Sequence, residues 1–298
     1  MDAKWTTPLL TAVAPVAWGS TYYVTSAFLP PDRPLFGALM RALPVGLLLL
    51  ALRPTLPTGS WWWRALLLGT LNIGAFFALI FVAAYRLPSG LAATLTATAP
   101  IAMMLVAWLL IAERPRLASL GAAVLGIAGV ALLVLRAGFA VDMIGVAASL
   151  GAVVMSSFGY VLLKRWTAPV DLLTLTAWQL VAGGLLLLPV ALIVEGAPPA
   201  LDAPAVLGFL YIGLVATGLA NYLWFRGLRR MPAASVSLIG LLNPVAGTVL
   251  GVVLAHELFG PVQAIGMLLV LAGVLLGQAP VQAALGRVLR RRERVPVR

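Results

Sequence analysis

Long apolar stretches, separated by short polar connectors, run through this chain almost from end to end. Ten of them have the length of a membrane crossing: 9–28, 34–52, 63–85, 90–111, 117–135, 144–163, 172–193, 205–226, 234–255 and 262–278. About 20 mainly apolar residues suffice for a helix to cross hydrocarbon, so each stretch is predicted to be a spanning helix. The connectors leave no room for a separate catalytic or nucleotide-binding domain.

The pattern is stated twice. Pro88, Ala99-Pro100, Glu113 and Gly129-Val130 return 144 residues later as Pro232, Asn243-Pro244, Glu257 and Gly273-Val274. A weaker echo sets Trp18-Gly19-Ser20 against Phe158-Gly159-Tyr160, 140 residues on, so loop lengths differ between the copies. Each copy holds five spans. An odd number means that the second copy enters the membrane upside down relative to the first, as in transporters built from inverted repeats. The predicted fold is therefore an all-α polytopic membrane protein of ten helices in two inverted five-helix repeats. The first repeat is expected at 1–138, the second at 139–279, and a basic tail at 280–298.

Composition agrees. Hydrophobic residues make up 62% of the chain and charged residues 10%, with a mean hydropathy of +1.05. A water-soluble domain could not cover that much apolar surface. There is no cysteine, which removes disulfides, thiolate nucleophiles and thiolate metal sites. The first apolar stretch is followed by nine more and reads as a retained helix, not a cleaved signal.

The net charge of +11 raises the question of nucleic acid, and its distribution answers it. With the N-terminus placed in the cytoplasm, sixteen Lys and Arg fall on the cytoplasmic side, and only Arg33, Arg86 and Arg136 fall on the other. Arg41 lies inside a span. That bias is the positive-inside pattern and puts both termini in the cytoplasm without any nucleic-acid partner. The Arg-rich tail is suited to anionic lipid headgroups.

The segments Glu113–Val134 and Glu257–Leu276 resemble the closing part of an EamA repeat. L-P-S-G-L-A-A-T-L from Leu87 and M-P-A-A-S-V-S-L from Met231, each leading to an intramembrane proline, resemble its middle, and W-G-S-T from Trp18 its opening. Over nearly its whole length the chain resembles the drug/metabolite transporter superfamily. The resemblance implies a ten-helix bundle in the inner membrane that exports amino acids or similar small metabolites, with aromatic amino acids first. No cofactor is implied. The partners it implies are a small-molecule solute and membrane lipid, and the chain is expected as a monomer or weak homo-oligomer.

Every acidic residue falls at a span end, in a connector or in a tail, and so does the single histidine, His256. Proton-driven pumps usually keep an ionisable carboxylate or histidine at membrane depth, so facilitated or exchange transport is expected. Acid/base catalysis in the membrane meets the same objection, and the chain is not expected to be an enzyme. No metal cluster is read.

Candidates for the solute cavity are the polar and aromatic side chains inside spans: Trp18, Tyr22, Arg41, Asn72, Phe76, Thr94, Thr98, Ser157, Tyr160, Trp178, Gln179, Thr217, Asn221 and Asn243. Amides cannot bond back to their own helix as easily as Ser and Thr can, so Asn72, Gln179, Asn221 and Asn243 weigh most. Arg41 is either a ligand for a solute carboxylate or a gate residue, or else a cation satisfied by backbone carbonyls or by headgroup water. Pro100 and Pro244 are hinge candidates, because each frees a carbonyl four residues earlier. Against this stand plainer readings. Trp61, Trp62 and Trp63 are expected in the interfacial belt. Glu113 and Glu257 are symmetry mates that read as gates or, more plainly, as carboxylates that favour the N-termini of the helices that follow them. Gly247, Gly251, Gly273 and Gly277 are expected to pack helices within the bundle.

Overall fold

The computed structural model describes residues 3–31, 33–87, 89–134, 142–254 and 259–284. Glu257, His256, Pro88, Arg136, the 138/139 boundary and most of the basic tail lie outside the described residues, as do the side chains of Tyr22 and Tyr85.

Among the described residues ten helical rods are seen, followed by a short helical stretch at 279–284. The first two are α1 (Ala3–Phe28) and α2 (Pro34–Leu52). The third joins α3 (Trp61–Gly69) to α4 (Ala75–Arg86) through a π-helical turn at Thr70–Gly74. The fourth is broken into α5 (Ser89–Thr96) and α6 (Ala99–Ile111), and the fifth is α7 (Leu117–Val134). The second set repeats this plan. It has α8 (Met143–Arg165) and α9 (Leu172–Glu195), then α10 (Ala203–Leu210) and α11 (Ala220–Arg230) joined through a π-helical stretch at Tyr211–Leu219. A broken ninth rod follows, α12 (Ala233–Ile239) and α13 (Leu242–Leu254), and then α14 (Pro261–Leu276). Both deviations from a straight α-helix, the π turn and the break, therefore recur at matching places.

Local chemistry sets several rod ends. Asp142, Asp171 and Asp202 accept backbone N–H bonds from Gly145, from Leu173 and Thr174, and from Ala205, which caps α8, α9 and α10. Proline opens α2 and α14, where its missing N–H costs nothing. In the fourth and ninth rods the proline restarts a helix that has already stopped. The α-helix is interrupted by two turn residues, 97–98 and 240–241, although Thr98 and Gly240 keep right-handed helical angles.

Packing is symmetric under exchange of the halves. α2 lies against α9, and α7 against α14. α1 packs on α13 as α6 packs on α8, and α1 packs on α11 as α4 packs on α8. Glycine allows the close approaches. A Cβ on Gly46 would stand 2.9 Å from the Leu180 side chain, and one on Gly184 2.7 Å from that of Leu43. Gly129 and Gly273 do the same between α7 and α14. Gly277 faces Leu238, so the small-residue faces of the tenth rod pack inside the bundle.

Two expectations are corrected. Trp61 is not a belt residue. It is only 6% exposed and packs on Trp178 with ring centres 6.2 Å apart, whereas Trp62 and Trp63 are 57% and 52% exposed. Glu113 does not serve the helix that follows it. Its carboxylate accepts from the Ala233 N–H at 2.7 Å and from Lys164 Nζ at 2.7 Å, which caps α12 from across the bundle.

Candidate functional site

Two polar cross-links hold the middle of the bundle, and each joins one repeat to the other. Asn72, inside the first π turn, donates through Nδ2 to Oε1 of Gln179 on α9 at 2.8 Å. Arg41 on α2 donates through Nε to Oγ1 of Thr217 at 2.9 Å and through Nη2 to the Ala216 carbonyl at 3.3 Å, both inside the second π stretch. These links are mates. The 138-residue spacing from Gly46 to Gly184 also separates Arg41 from Gln179, and the 144-residue spacing from Gly69 to Gly213 also sets Asn72 on Ala216. A π turn widens the helix and disturbs its regular bonding ladder; the first carries the Asn72 side chain toward Gln179, and the second offers the Ala216 carbonyl to Arg41. The Arg41 guanidinium also lies 4.8 Å from the Phe77 ring centre, a cation–π contact. Phe76 packs against Phe77.

A second cluster gathers where the ninth rod breaks. Trp18 on α1 and Trp224 on α11 have ring centres 5.2 Å apart, and Tyr160 on α8 lies 5.9 Å from Trp224. A Cβ on Gly19 would meet the Asn243 carbonyl oxygen at 2.5 Å, so glycine there lets α1 touch the break. Trp224 also reaches the break, 3.3 Å from the Cβ position of Gly240. Trp224 Nε1 and Asn243 Oδ1 are buried and have no hydrogen-bond partner among the described residues. Orphaned buried polar atoms are rare, because each carries a desolvation penalty of about 1–3 kcal/mol.

The remaining candidates divide. Asn221, Ser157 and Thr98 bond back to carbonyls of their own chain, those of Thr217, Val153 and Leu95. Thr94 is half-buried on α5. Trp178 donates Nε1 to the Thr55 carbonyl at 2.7 Å, close to the Arg-rich face and away from the middle. Tyr22 sits on α1, with its side chain outside the described residues. Pro100 and Pro244 open the second halves of the broken rods.

The rod ends hold groups that single-residue reasoning passes over. At the Arg-poor face the Glu195 carboxylate accepts from the Leu35 and Phe36 N–H groups at 2.6 and 2.8 Å, capping α2. Arg33 donates to the Glu195 and Ala197 carbonyls. Arg86 and Asp142 pair at 3.2 Å. The Gly145 N–H bond, with Arg86 behind it, outweighs desolvation and holds the Asp142 carboxyl below its ordinary pKa. At the Arg-rich face Arg53, Asp171, Leu172, Leu173 and Tyr222 surround a cavity of about 340 Å³. The sequence signal here is Asp171 directly ahead of an apolar run, an N-cap residue. Among the described residues no three His, Cys, Asp or Glu side chains converge on a point that could hold a metal ion.

Two inverted repeats, helices broken at matching prolines and polar links between the halves together define a membrane transporter of the inverted-repeat class. The chain belongs to the EamA-like transporter family, which it matches over residues 5–135 and 143–277. It is 37% identical over 267 residues to the protein PecM of Dickeya dadantii, covering 89% of this chain and 90% of that one. It is 28% identical to the uncharacterized inner membrane transporter YedA of Escherichia coli (88% of this chain, 87% of YedA). It is 27% identical to a probable amino-acid metabolite efflux pump of Salmonella typhimurium (88% and 91%). A solved crystal structure shares the fold with a TM-score of 0.80 at 22% identity, covering 95% of this chain and 99% of its own.

Proposed function

We propose that this transporter exports small amphipathic zwitterions, aromatic and hydrophobic amino acids first and threonine and methionine with them, across the bacterial inner membrane by alternating access. The observation that carries this reading is the aromatic cluster at the ninth-rod break. Trp18, Tyr160 and Trp224 offer ring faces there, and the unpartnered Trp224 N–H and Asn243 Oδ1 offer a donor and an acceptor. An aromatic wall with a few fixed polar atoms suits an amphipathic solute. The breaks before Pro100 and Pro244 are the hinges, and Arg41, Asn72, Gln179 and Thr217 are the interlock between the halves across which the cavity opens. The Arg-rich face is cytoplasmic, and the repeats divide near residues 138/139. The described acids Glu113, Asp142, Asp171, Glu195 and Asp202 all lie at rod ends or in connectors. This disfavours a lipophilic cation, which would require a counter-charge at depth.

The test is uptake of labelled phenylalanine, tryptophan and threonine into liposomes holding only the purified protein, with voltage and a pH gradient imposed separately. Uptake that equilibrates without regard to the pH gradient is expected. Strong drive by the pH gradient at constant voltage would refute uncoupled transport, and no uptake of any of the three would remove the amino-acid assignment.

A further inference from the structure

The inner ends of α2 and α9 form a site of their own. Arg33 and Asp171, which precede α2 and α9, are mates at the 138-residue spacing, and Arg53 and Glu195 close the same two helices at their far ends. Each face of the bundle therefore presents one cation and one carboxylate where α2 meets α9, with the order reversed between faces. At the Arg-poor face both charges are engaged: Glu195 caps α2, and Arg33 grips the carbonyls that end α9. Gly196, with φ of +77° and ψ of −149°, makes that turn in a conformation that essentially only glycine adopts. At the Arg-rich face the two charges stay apart. Asp171 caps its own helix, accepting from the Leu173 N–H at 2.9 Å and from the Thr174 N–H and hydroxyl at 3.1 and 2.8 Å. Among the described residues no ion pair within 4.0 Å joins Asp171 to Arg53. Arg53 nonetheless acts electrostatically on Asp171. Between them lies the 340 Å³ cavity, walled by Leu172, Leu173 and Tyr222.

We propose that this cavity is the cytoplasmic capture site for the zwitterionic solute, with Arg53 binding its carboxylate, Asp171 its ammonium, and Leu172, Leu173 and Tyr222 its apolar side chain. The chemistry follows from the separation of charges. Two opposite charges that do not meet directly can be bridged by a ligand carrying both, and each pole then gains a charge-assisted hydrogen bond. The cavity lies within the size range of small-molecule sites, about 300–1,000 Å³. A monovalent ion would satisfy one pole and leave the other charge facing it.

This inference rests on the amino-acid reading, and the experiment separates the two. Initial rates of tryptophan transport are measured in proteoliposomes with solute offered at the Arg-rich face, for the wild type, Arg53→Gln and Asp171→Asn. Asparagine keeps the cap acceptor, so Asp171→Asn removes the charge and leaves the helix start. Both variants are expected to raise KM about tenfold with kcat little changed, while Arg165→Gln, an exposed charge at the same face, leaves KM as it is. Tryptamine and indole-3-propionate serve as half-ligand competitors. Asp171→Asn should relieve inhibition by tryptamine alone, and Arg53→Gln that by indole-3-propionate alone. Unchanged KM in both variants, or no inhibition of the wild type by either half-ligand, overturns the capture site while tryptophan transport stands. A wild type that carries no amino acid overturns the underlying function and the capture site with it.

Discussion

Arg41 carries a charge that the middle of a spanning helix opposes by about 2.5–3.5 kcal/mol on insertion scales. The Thr217 hydroxyl, the Ala216 carbonyl and the Phe77 ring meet that demand. Thr217→Val removes the Nε acceptor and should lower thermal stability by about 1–2 kcal/mol. Arg41→Leu combined with Thr217→Val should recover most of that stability, because deleting both partners leaves no unpaired charge, while transport stays impaired. Recovered transport in the double variant would make Arg41 structural only. The neutral mate pair predicts a smaller number. Hydrogen bonds between membrane helices average about 0.6 kcal/mol and reach about 1.7. A double-mutant cycle on Asn72→Leu and Gln179→Leu should therefore give a coupling in that range, read from denaturation midpoints. A value near zero would mean that the 2.8 Å contact contributes nothing.

Whole elements answer to their breaks and caps. Pro244→Ala restores a backbone donor in the ninth rod and should let α12 and α13 fuse. The expected result is a protein of equal or greater stability with transport reduced about tenfold or more, as befits a hinge. Full transport would make the break static. Close packing gives a stability test with no functional reading. Gly184→Val would drive side-chain atoms into Leu43, where even a Cβ stands 2.7 Å away, and should cost about 1–3 kcal/mol. The cap on α9 supplies a pH test. Desolvation raises the pKa of Asp171, but the Thr174 and Leu173 hydrogen bonds and Arg53 together lower it below the ordinary 3.8. A carboxyl with a depressed folded pKa contributes stability above its unfolded pKa and loses it as pH falls through the folded one. The stability gap between the wild type and Asp171→Ala should therefore be flat from about pH 7 to 5 and close only below about pH 4.

At the scale of the molecule the two faces differ in what holds them. The Arg-poor face is latched by Glu195 on α2, by Arg33 on the end of α9 and by the Arg86–Asp142 pair. The Arg-rich face is tied by Glu113 between Lys164 and the start of α12, and opens around Arg53 and Asp171. The chain has no cysteine, so single cysteines report access without background. Tyr222→Cys should react with a membrane-impermeant thiol reagent offered at the cytoplasmic face and be protected by tryptophan. Labelling only from the outside would reverse the assigned orientation. Glu195→Gln, which weakens the latch at the Arg-poor face, should slow that labelling by shifting the population toward the state open at that face.

By itself the sequence determined the solvent, the number of rods, the two-fold repetition and the family. The first three rest on a long-range regularity of hydrophobicity or spacing, such as Pro100 and Glu113 matched by Pro244 and Glu257, and the family on the resemblance of whole segments to an EamA repeat; no single contact is needed to see them. It also singled out Arg41, Asn72, Gln179 and Thr217, because lipid makes any polar side chain at depth conspicuous. Which of them meet was decided by the tertiary structure. The π turns that carry Asn72 and Thr217 arise from a widened backbone ladder that no residue pattern here announces. Asn221 and Ser157 look equally polar in sequence but are satisfied within their own helices. Trp61 reads as belt until Trp178 covers it, and Glu113 reads as local until α12 arrives beside it. Arg53 and Asp171 look like ordinary connector charges until α2 and α9 bring them to one cavity, because a charge acquires its partner only from the packing of distant segments.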